Sequence, residues 1–430
     1  SRPPESQNRK SYAAGVLEMS LGFAVKGPMK IVYMTREYPP YVYGGAGVHV
    51  EYLVREMVRL ASVEVKCFGD QKFKTHNLSV QGYPFCEDFF KDNSEKVKQS
   101  LMVLLTCMRF NATPVVADVV HCHTWYAAWA GILSKICYGT PLVITVHSLE
   151  PSRPWKREQL GRGYDMSLWI EKTALEMADI VIAVSTTSRE EIISYFDIKP
   201  ERIRVIPNGV DASQFKPVRA RTALAKYGVN PQIPYVLFLG RITRQKGIIH
   251  FINAIRYLDP QIQAVLCAGA PDTPEIAKEI EASVAEIRKV RENVIWIHKM
   301  VTRQESIELY SHAAVFCCPS IYEPFGLINL EAMACETPVV ASAVGGINEV
   351  VVPGETGELV PFESISSKNP EPARPEEFAR SLAQAMNRLM ADKGLRLKMG
   401  KQGRKRVRDN FAWDKVAFKL MEVYKEVVHR

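Results

Sequence analysis

The sequence predicts an α/β protein built from two doubly wound domains that face each other across a central cleft. Short apolar runs rich in β-branched residues alternate with longer helical patterns from end to end, which is typical of parallel sheets with crossover helices. At 430 residues, the chain is also too long for one ordinary hydrophobic core. The strand-like runs form two sets of six, separated by the turn-rich segment from Pro207 to Asp211.

The predicted strands divide evenly between the two domains. In the first domain they are Met29 to Thr35, Val63 to Gly69, Asp118 to His123, Leu142 to His147, Asp179 to Val184 and Ile203 to Ile206. In the second they are Tyr235 to Gly240, Gln263 to Gly269, Val294 to His298, Ala313 to Cys318, Pro338 to Ser342 and Gly357 to Val360. We therefore place the domains at residues 29–208 and 209–409. Residues 1–28, which lack periodicity, are interpreted as an extension, and residues 410–430 as a last amphipathic helix.

The composition is that of a globular protein without a membrane span. Hydrophobic residues make up 47% of the chain and charged residues 24%, and no uninterrupted apolar stretch is long enough to cross a bilayer. The net charge of +8, from 55 basic and 47 acidic residues, favours anionic ligands over a dedicated nucleic-acid binder. The nine cysteines show no paired metal-ligand spacing, so a reduced, cytoplasmic protein is expected.

The most informative motif is the segment from Glu323 to Glu331. The first carboxylate follows a predicted strand, and the second lies about two turns inside a predicted helix, Ile328 to Cys335. Between them, the backbone N–H groups of Phe325, Gly326 and Leu327 lie at a helix N-terminus, where ligand hydroxyls or anions are stabilised. Two acids with such amides suit a sugar attached to a phosphate. The alternative is a pair of solvated surface glutamates.

Two cations and a glycine-rich turn extend this candidate site. Arg241 and Lys246 follow the strand Tyr235 to Gly240 and lead into a helix, so they can grip a diphosphate, unless they are ordinary surface cations. After the first strand, Gly44 to Gly47 lets the backbone approach a phosphate closely, above all at Gly45. It is a poor dinucleotide fingerprint, because Val50 replaces the third glycine, so a dehydrogenase is disfavoured.

Histidines at the ends of two predicted strands complete the set of candidates. His147 ends one strand at the edge of the cleft, where it can hydrogen-bond a sugar hydroxyl, although a core histidine is the alternative. His121 and His123 flank Cys122, but adjacent positions on a strand alternate faces and no second cluster is nearby in the sequence. The chain also has no Asp-x-Asp sequence. We therefore expect neither a metal site nor a bound cofactor.

Taken together, these segments resemble retaining glycosyltransferases of the GT-B type, which have two Rossmann-like domains. The resemblance covers Met29 to the C-terminus and is most specific in four places. These are Thr35 to Pro40 with Tyr43 to His49, His123 to Ala127, Thr145 to Glu150, and Glu323 to Glu331 with Gly345-Gly346. The chain is most similar to the actinobacterial-type glycogen synthases, which use ADP-glucose and include members that make maltose 1-phosphate.

The resemblance implies a role for each candidate residue. Glu331 would hold the nucleotide ribose, Arg241 and Lys246 the diphosphate, and Gly45 would approach the diphosphate through its backbone. The glucose would be held by Glu323, His147 and the amides of Phe325, Gly326 and Leu327. The resemblance also implies that the first domain binds the acceptor, that the second binds the nucleotide sugar, and that the terminal helix crosses back to the first domain.

The identity of the acceptor stays open at this point. Elongation of an α-1,4-glucan from ADP-glucose is the leading interpretation, with glucose 1-phosphate as the alternative acceptor. A sugar-nucleotide epimerase is an alternative of another class. In the loop after His147, Trp155 could stack on a glucan ring, whereas Arg153 and Lys156 could grip a phosphate. Starch-type synthases carry a Lys-x-Gly-Gly loop, whereas here Tyr43 precedes the glycines and that lysine is missing, and they carry an acid where this chain has Thr124. The sequence does not determine the nucleobase or the oligomeric state.

Overall fold

The protein consists of two parallel α/β domains, as predicted. The computed structural model describes residues 27–42, 44–366 and 369–429. The extension expected over residues 1–28 lies outside the described part of the chain, apart from its last two residues. Each domain has a parallel sheet covered by helices, with apolar cores built from the strands and the helices that pack on them.

The strands and helices follow one another in regular alternation. The strands are β1 (Lys30–Thr35), β2 (Ser62–Phe68), β3 (Lys72–Lys74), β4 (Leu78–Tyr83), β5 (Val119–His123), β6 (Leu142–Val146), β7 (Ile180–Ala183), β8 (Ile203–Val205), β9 (Tyr235–Arg241), β10 (Gln263–Gly269), β11 (Val294–Ile297), β12 (Val315–Cys318), β13 (Val339–Ser342), β14 (Gly357–Val360), β15 (Ser364–Ser366) and β16 (Asn369–Pro372). The α-helices are α1 (Gly45–Met57), α2 (Glu95–Phe110), α3 (Trp125–Tyr138), α4 (Lys156–Leu160), α5 (Gly163–Met177), α6 (Thr186–Tyr195), α7 (Thr222–Lys226), α8 (Ile248–Ile255), α9 (Pro274–Arg288), α10 (Arg303–His312), α11 (Leu327–Ala334), α12 (Ile347–Val350), α13 (Pro375–Ala391), α14 (Lys393–Asn410) and α15 (Trp413–Val428).

The first sheet has eight strands in the order β3-β4-β2-β1-β5-β6-β7-β8. The six strands predicted for this domain are all present, and β3 and β4 are additional. These two strands lie at one edge of the sheet, where β3 pairs antiparallel with β4. Strand β3 was not predicted, because its three residues are exposed and two of them are lysines.

The second sheet has six strands in the order β11-β10-β9-β12-β13-β14, all parallel. This is the doubly wound strand order, in which the direction of winding reverses between β9 and β12. In the first sheet the corresponding reversal lies between β1 and β5. Ligands of such sheets bind beyond the carboxyl ends of the strands at the reversal, so these four strands mark where a site is expected.

The chain passes between the domains twice within the described residues. The first crossing follows β8, and the second joins α14 to α15. The two crossings lie side by side, because Val210 N–H donates to the Phe411 carbonyl at 2.8 Å and Val210 forms a parallel bridge with Ala412. Helix α15 then packs on the first domain, where Trp413, Leu420 and Tyr424 share a core with β1 and β2.

None of the helices in the described part of the chain combines the length and the apolar character needed to cross a membrane.

Candidate active site

A cavity of about 1390 Å³ lies between the two domains. Its walls include the residues that follow β1, β5, β9 and β12, the four strands at the reversals of the two sheets. All the candidate residues named from the sequence line this one cavity: Gly45, His147, Arg153, Trp155, Lys156, Arg241, Lys246, Glu323, Phe325, Gly326, Leu327 and Glu331. The structure therefore brings together side chains that are almost 290 positions apart in the sequence.

Glu323 lies on the loop between β12 and α11, and two glycines support that loop from behind. Gly346 donates its backbone N–H to the Glu323 carbonyl oxygen at 2.9 Å. Gly345 has a φ of +50°, and a Cβ there would collide with the same carbonyl oxygen. Because only glycine allows so close an approach, the backbone of Glu323 is fixed and its buried carboxylate faces the cavity in a defined place.

Lys246 contacts Glu323 directly, with Nζ 2.6 Å from Oε2. It ends a single 3-10 turn, Arg244–Lys246, which is capped by the hydroxyl of Thr243. Burial acts to lower the pKa of Lys246, but the Glu323 carboxylate outweighs it, and the pKa lies above the ordinary lysine value. Lys246 is therefore a fixed positive charge beside the acid that was predicted to face the sugar.

Arg241, the last residue of β9, is paired with an acid that the sequence analysis did not single out. Its Nη2 lies 2.5 Å from Oδ1 of Asp272, which follows β10. Burial raises the pKa of Asp272, and the charge of Arg241 opposes this shift. Asp272 could have been noticed, because it too follows the carboxyl end of a predicted strand and lines the cavity.

Glu331 is the fifth residue of α11, little more than one turn from its start, rather than two turns inside the helix as predicted. The predicted helix, Ile328 to Cys335, already made Glu331 its fourth residue, so two turns was an overestimate. Helix α11 begins one residue earlier, at Leu327, after Gly326 with a φ of +99°. The Tyr310 hydroxyl donates to Glu331 at 3.2 Å. Burial raises the pKa of Glu331 to about 7, although Tyr310 and Arg303 act to lower it.

The start of α11 lies beside the start of α1 in the first domain. Gly45, the first residue of α1, lies close by, since a Cβ on Gly45 would be 3.3 Å from Cδ1 of Leu327. The neighbouring Gly44 N–H donates to the buried carboxylate of Glu37 at 2.8 Å. Two helix N-termini, one from each domain, therefore border the same part of the cavity, as expected for a site that receives an anion.

Four histidines of the first domain form a group beside the cavity, in which His49, His121 and His123 are buried and His147 is partly exposed. His123 Nδ1 lies 3.0 Å from His147 Nε2, and His121 is hydrogen-bonded to Tyr424 at 2.6 Å. His121 and His123 are two positions apart and share a face of β5, with ring centroids 4.3 Å apart. The argument that adjacent strand positions diverge therefore did not apply to this pair.

In the described part of the chain, one set of side chains has the donors for a metal ion. It consists of His49, His123 and His147, whose ligand atoms lie within 4.8 Å of one another. Imidazole is a common ligand of zinc. One nitrogen of each ring already has a protein partner: His49 bonds to Asn208 at 2.7 Å, and His123 bonds to His147. Burial lowers the pKa of all three imidazoles, so they are neutral near pH 7.

On the side of the cavity formed by the first domain, two cations converge on Tyr126. The Arg36 guanidinium lies over the Tyr126 ring at 4.2 Å, and Lys156 Nζ donates to the Tyr126 hydroxyl at 3.5 Å. Burial acts to raise the pKa of Tyr126, but Lys156 and Arg36 outweigh it, and the pKa lies below the usual value. All three residues line the cavity, so this corner is electropositive. Arg36 and Tyr126 were not predicted, although both lie just beyond the carboxyl ends of predicted strands.

The other residues of the loop after His147 are placed differently. Arg153 lines the cavity but is ion-paired with the fully buried Glu150, so its charge is largely neutralised. Trp155 lines the cavity and packs edge-on against Tyr322 of the second domain, with ring centroids 6.3 Å apart. Arg157 is directed elsewhere, since it forms two hydrogen bonds with Asp165 at the protein surface. Of the cations in this loop, Lys156 is the one best placed to bind a ligand.

The two domains also contact each other around the cavity. Arg303 Nη2 in the second domain lies 3.0 Å from Glu51 Oε2 in the first. Leu149 N–H donates to the Tyr322 hydroxyl at 3.2 Å. The Glu349 carboxylate accepts from Thr186 N–H at 2.7 Å, at the first turn of α6. The two domains are therefore in contact beside the cavity, and candidate residues from both domains line it.

Two facing Rossmann-like domains with this site between them define a glycosyltransferase of the GT-B class. Residues 43–214 match Glycosyltransferase Family 4, and residues 220–370 match Glycosyl transferases group 1. The chain belongs to the family 4 glycosyltransferases, enzymes that use nucleotide sugars.

Similar proteins of known name agree with this class. The chain is 42% identical over 407 residues to the alpha-maltose-1-phosphate synthase of Mycolicibacterium smegmatis, covering 93% of this chain and 100% of that protein. It is 31% identical over 325 residues to the D-inositol 3-phosphate glycosyltransferase of Xylanimonas cellulosilytica, covering 73% of each. Among solved structures, the sucrose-phosphate synthase of Thermosynechococcus elongatus is similar, with a TM-score of 0.74 and 26% identity over 93% of this chain and 99% of that one.

Proposed function

We propose that this enzyme transfers glucose from a nucleoside diphosphate glucose, with ADP-glucose as the expected donor, to glucose 1-phosphate, forming α-maltose 1-phosphate with retention of configuration. The relative from Mycolicibacterium smegmatis, which matches almost the whole chain, carries the name of this activity. The other two similar proteins are also named for a sugar phosphate or a polyol phosphate. These names favour the acceptor that the sequence analysis held as its alternative to a growing glucan.

The single observation that carries the proposal is the electropositive corner at Tyr126. A phosphate dianion needs positive charge and hydrogen-bond donors, and Lys156, Arg36 and the Tyr126 hydroxyl supply both within the cavity. The end of an α-1,4-glucan is uncharged, so its binding would not require these positive charges. Trp155 can still stack on the glucose ring of a small acceptor.

On the donor side, the proposed chemistry is stabilisation of a leaving group. The bond between the anomeric carbon and the β-phosphate oxygen breaks, the 4-hydroxyl oxygen of glucose 1-phosphate bonds to the same face of that carbon, and its proton passes to the leaving diphosphate. Lys246 and Arg241 would neutralise the negative charge that grows on the diphosphate, together with the amides at the start of α11. Glu323 and His147 would hold the glucose and favour its oxocarbenium-like transition state.

The test of this proposal is a panel of nucleotide glucoses assayed against glucose 1-phosphate, maltose and glycogen, with release of free nucleotide as the readout. We expect the highest kcat/KM for ADP-glucose with glucose 1-phosphate. Faster transfer to glycogen would instead identify an elongating synthase. Conversion of the donor without any acceptor, with no glucose transferred, would identify an epimerase.

Replacing Lys156 with alanine should raise the KM for glucose 1-phosphate about tenfold to a hundredfold, because a charge-assisted hydrogen bond contributes about 1.5–3 kcal/mol. The affinity for ADP should stay within about twofold, because Lys156 lies on the first domain. Arg157→Ala is the matched control, since this neighbouring cation is paired with Asp165 at the surface. Equal KM values for Lys156→Ala and the parent would remove the phosphate from this corner.

Transfer should survive chelation of metal ions. Arg241, Lys246 and two helix N-termini can meet the charge of the diphosphate without a divalent cation. Initial rates measured before and after excess EDTA should agree within experimental error. A loss of activity that returns with magnesium or manganese would contradict this expectation.

A further inference from the structure

His49 is a buried histidine that the proposed chemistry does not use. It lies in α1 and is 2% exposed. Its Nδ1 donates to Oδ1 of Asn208 at 2.7 Å, which fixes the proton on Nδ1, because an amide oxygen only accepts. Burial lowers the pKa of His49 to about 4, so the ring is neutral at physiological pH and its role does not depend on a charge.

Asn208 and Trp413, the two residues that hold His49, lie on the two chain crossings between the domains. Asn208 lies on the first crossing, and Trp413 begins α15 directly after the second. The Trp413 ring packs edge-on against His49 at 5.1 Å. The crossings fit tightly together, because a Cβ on Gly209 would lie only 2.6 Å from the Trp413 ring. Any opening or closing of the cleft must bend both crossings at this point.

On its other side, His49 packs against the candidate catalytic histidine. The rings of His49 and His147 meet edge to face, with centroids 4.7 Å apart. His147 is held from a second direction by the hydrogen bond to His123. The His147 ring is therefore confined between a partner on β5 and a partner that is itself attached to the crossings.

We propose that His49 is a positioning residue that sets the orientation of His147 according to the arrangement of the two crossings, so that His147 adopts its working position when the domains are closed. The inference rests on the proposed role of His147 toward the sugar. This role explains why the buried side chain of His49 is hydrogen-bonded to Asn208 on the first crossing. An apolar residue at position 49 would pack equally well without that bond.

The test is a double-mutant cycle with His49→Ala and Asn208→Ala, using turnover with saturating substrates and the ADP affinity as separate readouts. Displacing a catalytic group by about 1 Å costs up to about a hundredfold in rate, so we expect His49→Ala to lower kcat by about tenfold to a hundredfold. Asn208→Ala should also lower kcat. The double variant should have a kcat no lower than that of His49→Ala alone, because both substitutions remove the same hydrogen bond. The Kd for ADP should stay within about twofold throughout.

Two further variants separate positioning from a simple loss of packing. His49→Asn keeps an N–H donor near the place of Nδ1 and should recover part of the lost kcat. His250→Asn is the control, since His250 is a buried histidine of the second domain that does not line the cavity. It should leave kcat near the parental value even if the melting temperature falls. If His49→Ala does not fold, His49→Asn and Asn208→Ala form the cycle.

The inference is overturned if His49→Ala keeps the parental kcat, if the two substitutions multiply in the double variant, or if ADP affinity falls as much as turnover. All assays use the acceptor that gives the fastest release of nucleotide from the parent enzyme. If glucose 1-phosphate is not the acceptor, another acceptor is used in the assay, and the double-mutant cycle still tests the role of His49.

Discussion

Replacing Lys246 with alanine is expected to lower turnover by about tenfold to 150-fold, which corresponds to about 1.5–3 kcal/mol of transition-state stabilisation. Two effects add. The diphosphate loses a fixed positive charge as it leaves, and Glu323 loses the partner that lies 2.6 Å away. The measurement is kcat under saturating donor and acceptor, with the melting temperature of each variant recorded beside it.

The neighbouring Arg244→Ala is the matched control for Lys246. Arg244 begins the same 3-10 turn but does not line the cavity, and it pairs with Glu279 and Glu158. It should retain near-parental turnover. The double variant Lys246→Met with Glu323→Gln should regain part of the stability that Lys246→Ala loses, because no unpaired buried charge remains, but it should not regain activity. Turnover within twofold of the parent in Lys246→Ala would remove this residue from the chemistry.

Glu331→Gln and Glu323→Gln are expected to fail in different ways. If Glu331 holds the ribose equally in the ground state and the transition state, its substitution should weaken ADP binding by about tenfold to a hundredfold with a smaller effect on kcat. Glu323→Gln, beside the reacting sugar, should lower kcat and leave ADP binding close to that of the parent. Calorimetry with ADP separates the two, and unchanged ADP affinity in Glu331→Gln would refute the ribose assignment.

The parent and Glu331→Gln should also differ in how their affinity for ADP changes with pH. Because burial raises the pKa of Glu331 to about 7, its carboxyl is largely protonated below that pH and ionised above it. Ribose hydroxyls donate to the ionised form, so ADP affinity should rise with pH through about 7 and then level off. The phosphates of the ligand titrate with a pKa near 6 as well. The diagnostic quantity is therefore the difference between the parent and Glu331→Gln, which should grow as the pH rises.

The central strands of both sheets could be predicted from the sequence because they are buried on both faces and appear as continuous apolar runs. The strands β3 and β4, at one edge of the first sheet, were not predicted. β3 is short and exposed, so it does not differ from a loop in composition, whereas the alternation of apolar and polar residues in β4 is a strand pattern that the sequence analysis missed. β4 forms by pairing with β2 and β3 by pairing with β4, and no local pattern records which strands pair.

The candidate site followed from one topological rule more than from motifs. Residues after parallel strands meet at one edge, and this rule placed Arg241, Lys246 and Glu323 in a common cavity. What the rule could not supply is which side chains touch. The contacts of Lys246 with Glu323 and of Arg241 with Asp272 depend on loop conformations set by glycines and caps far along the chain. Applied to every strand, the same rule would also have indicated Arg36 and Tyr126.

The return of α15 to the first domain has a consequence for anyone who wishes to exchange halves between related enzymes. Trp413, Leu420 and Tyr424 fill the core of the domain that begins the chain, so a cut at residue 208 leaves that domain without part of its own interior. In effect, the second domain is an insertion within the first. A chimera that aims to change donor preference should therefore replace the stretch between the two crossings as a cassette and keep both flanks from one parent.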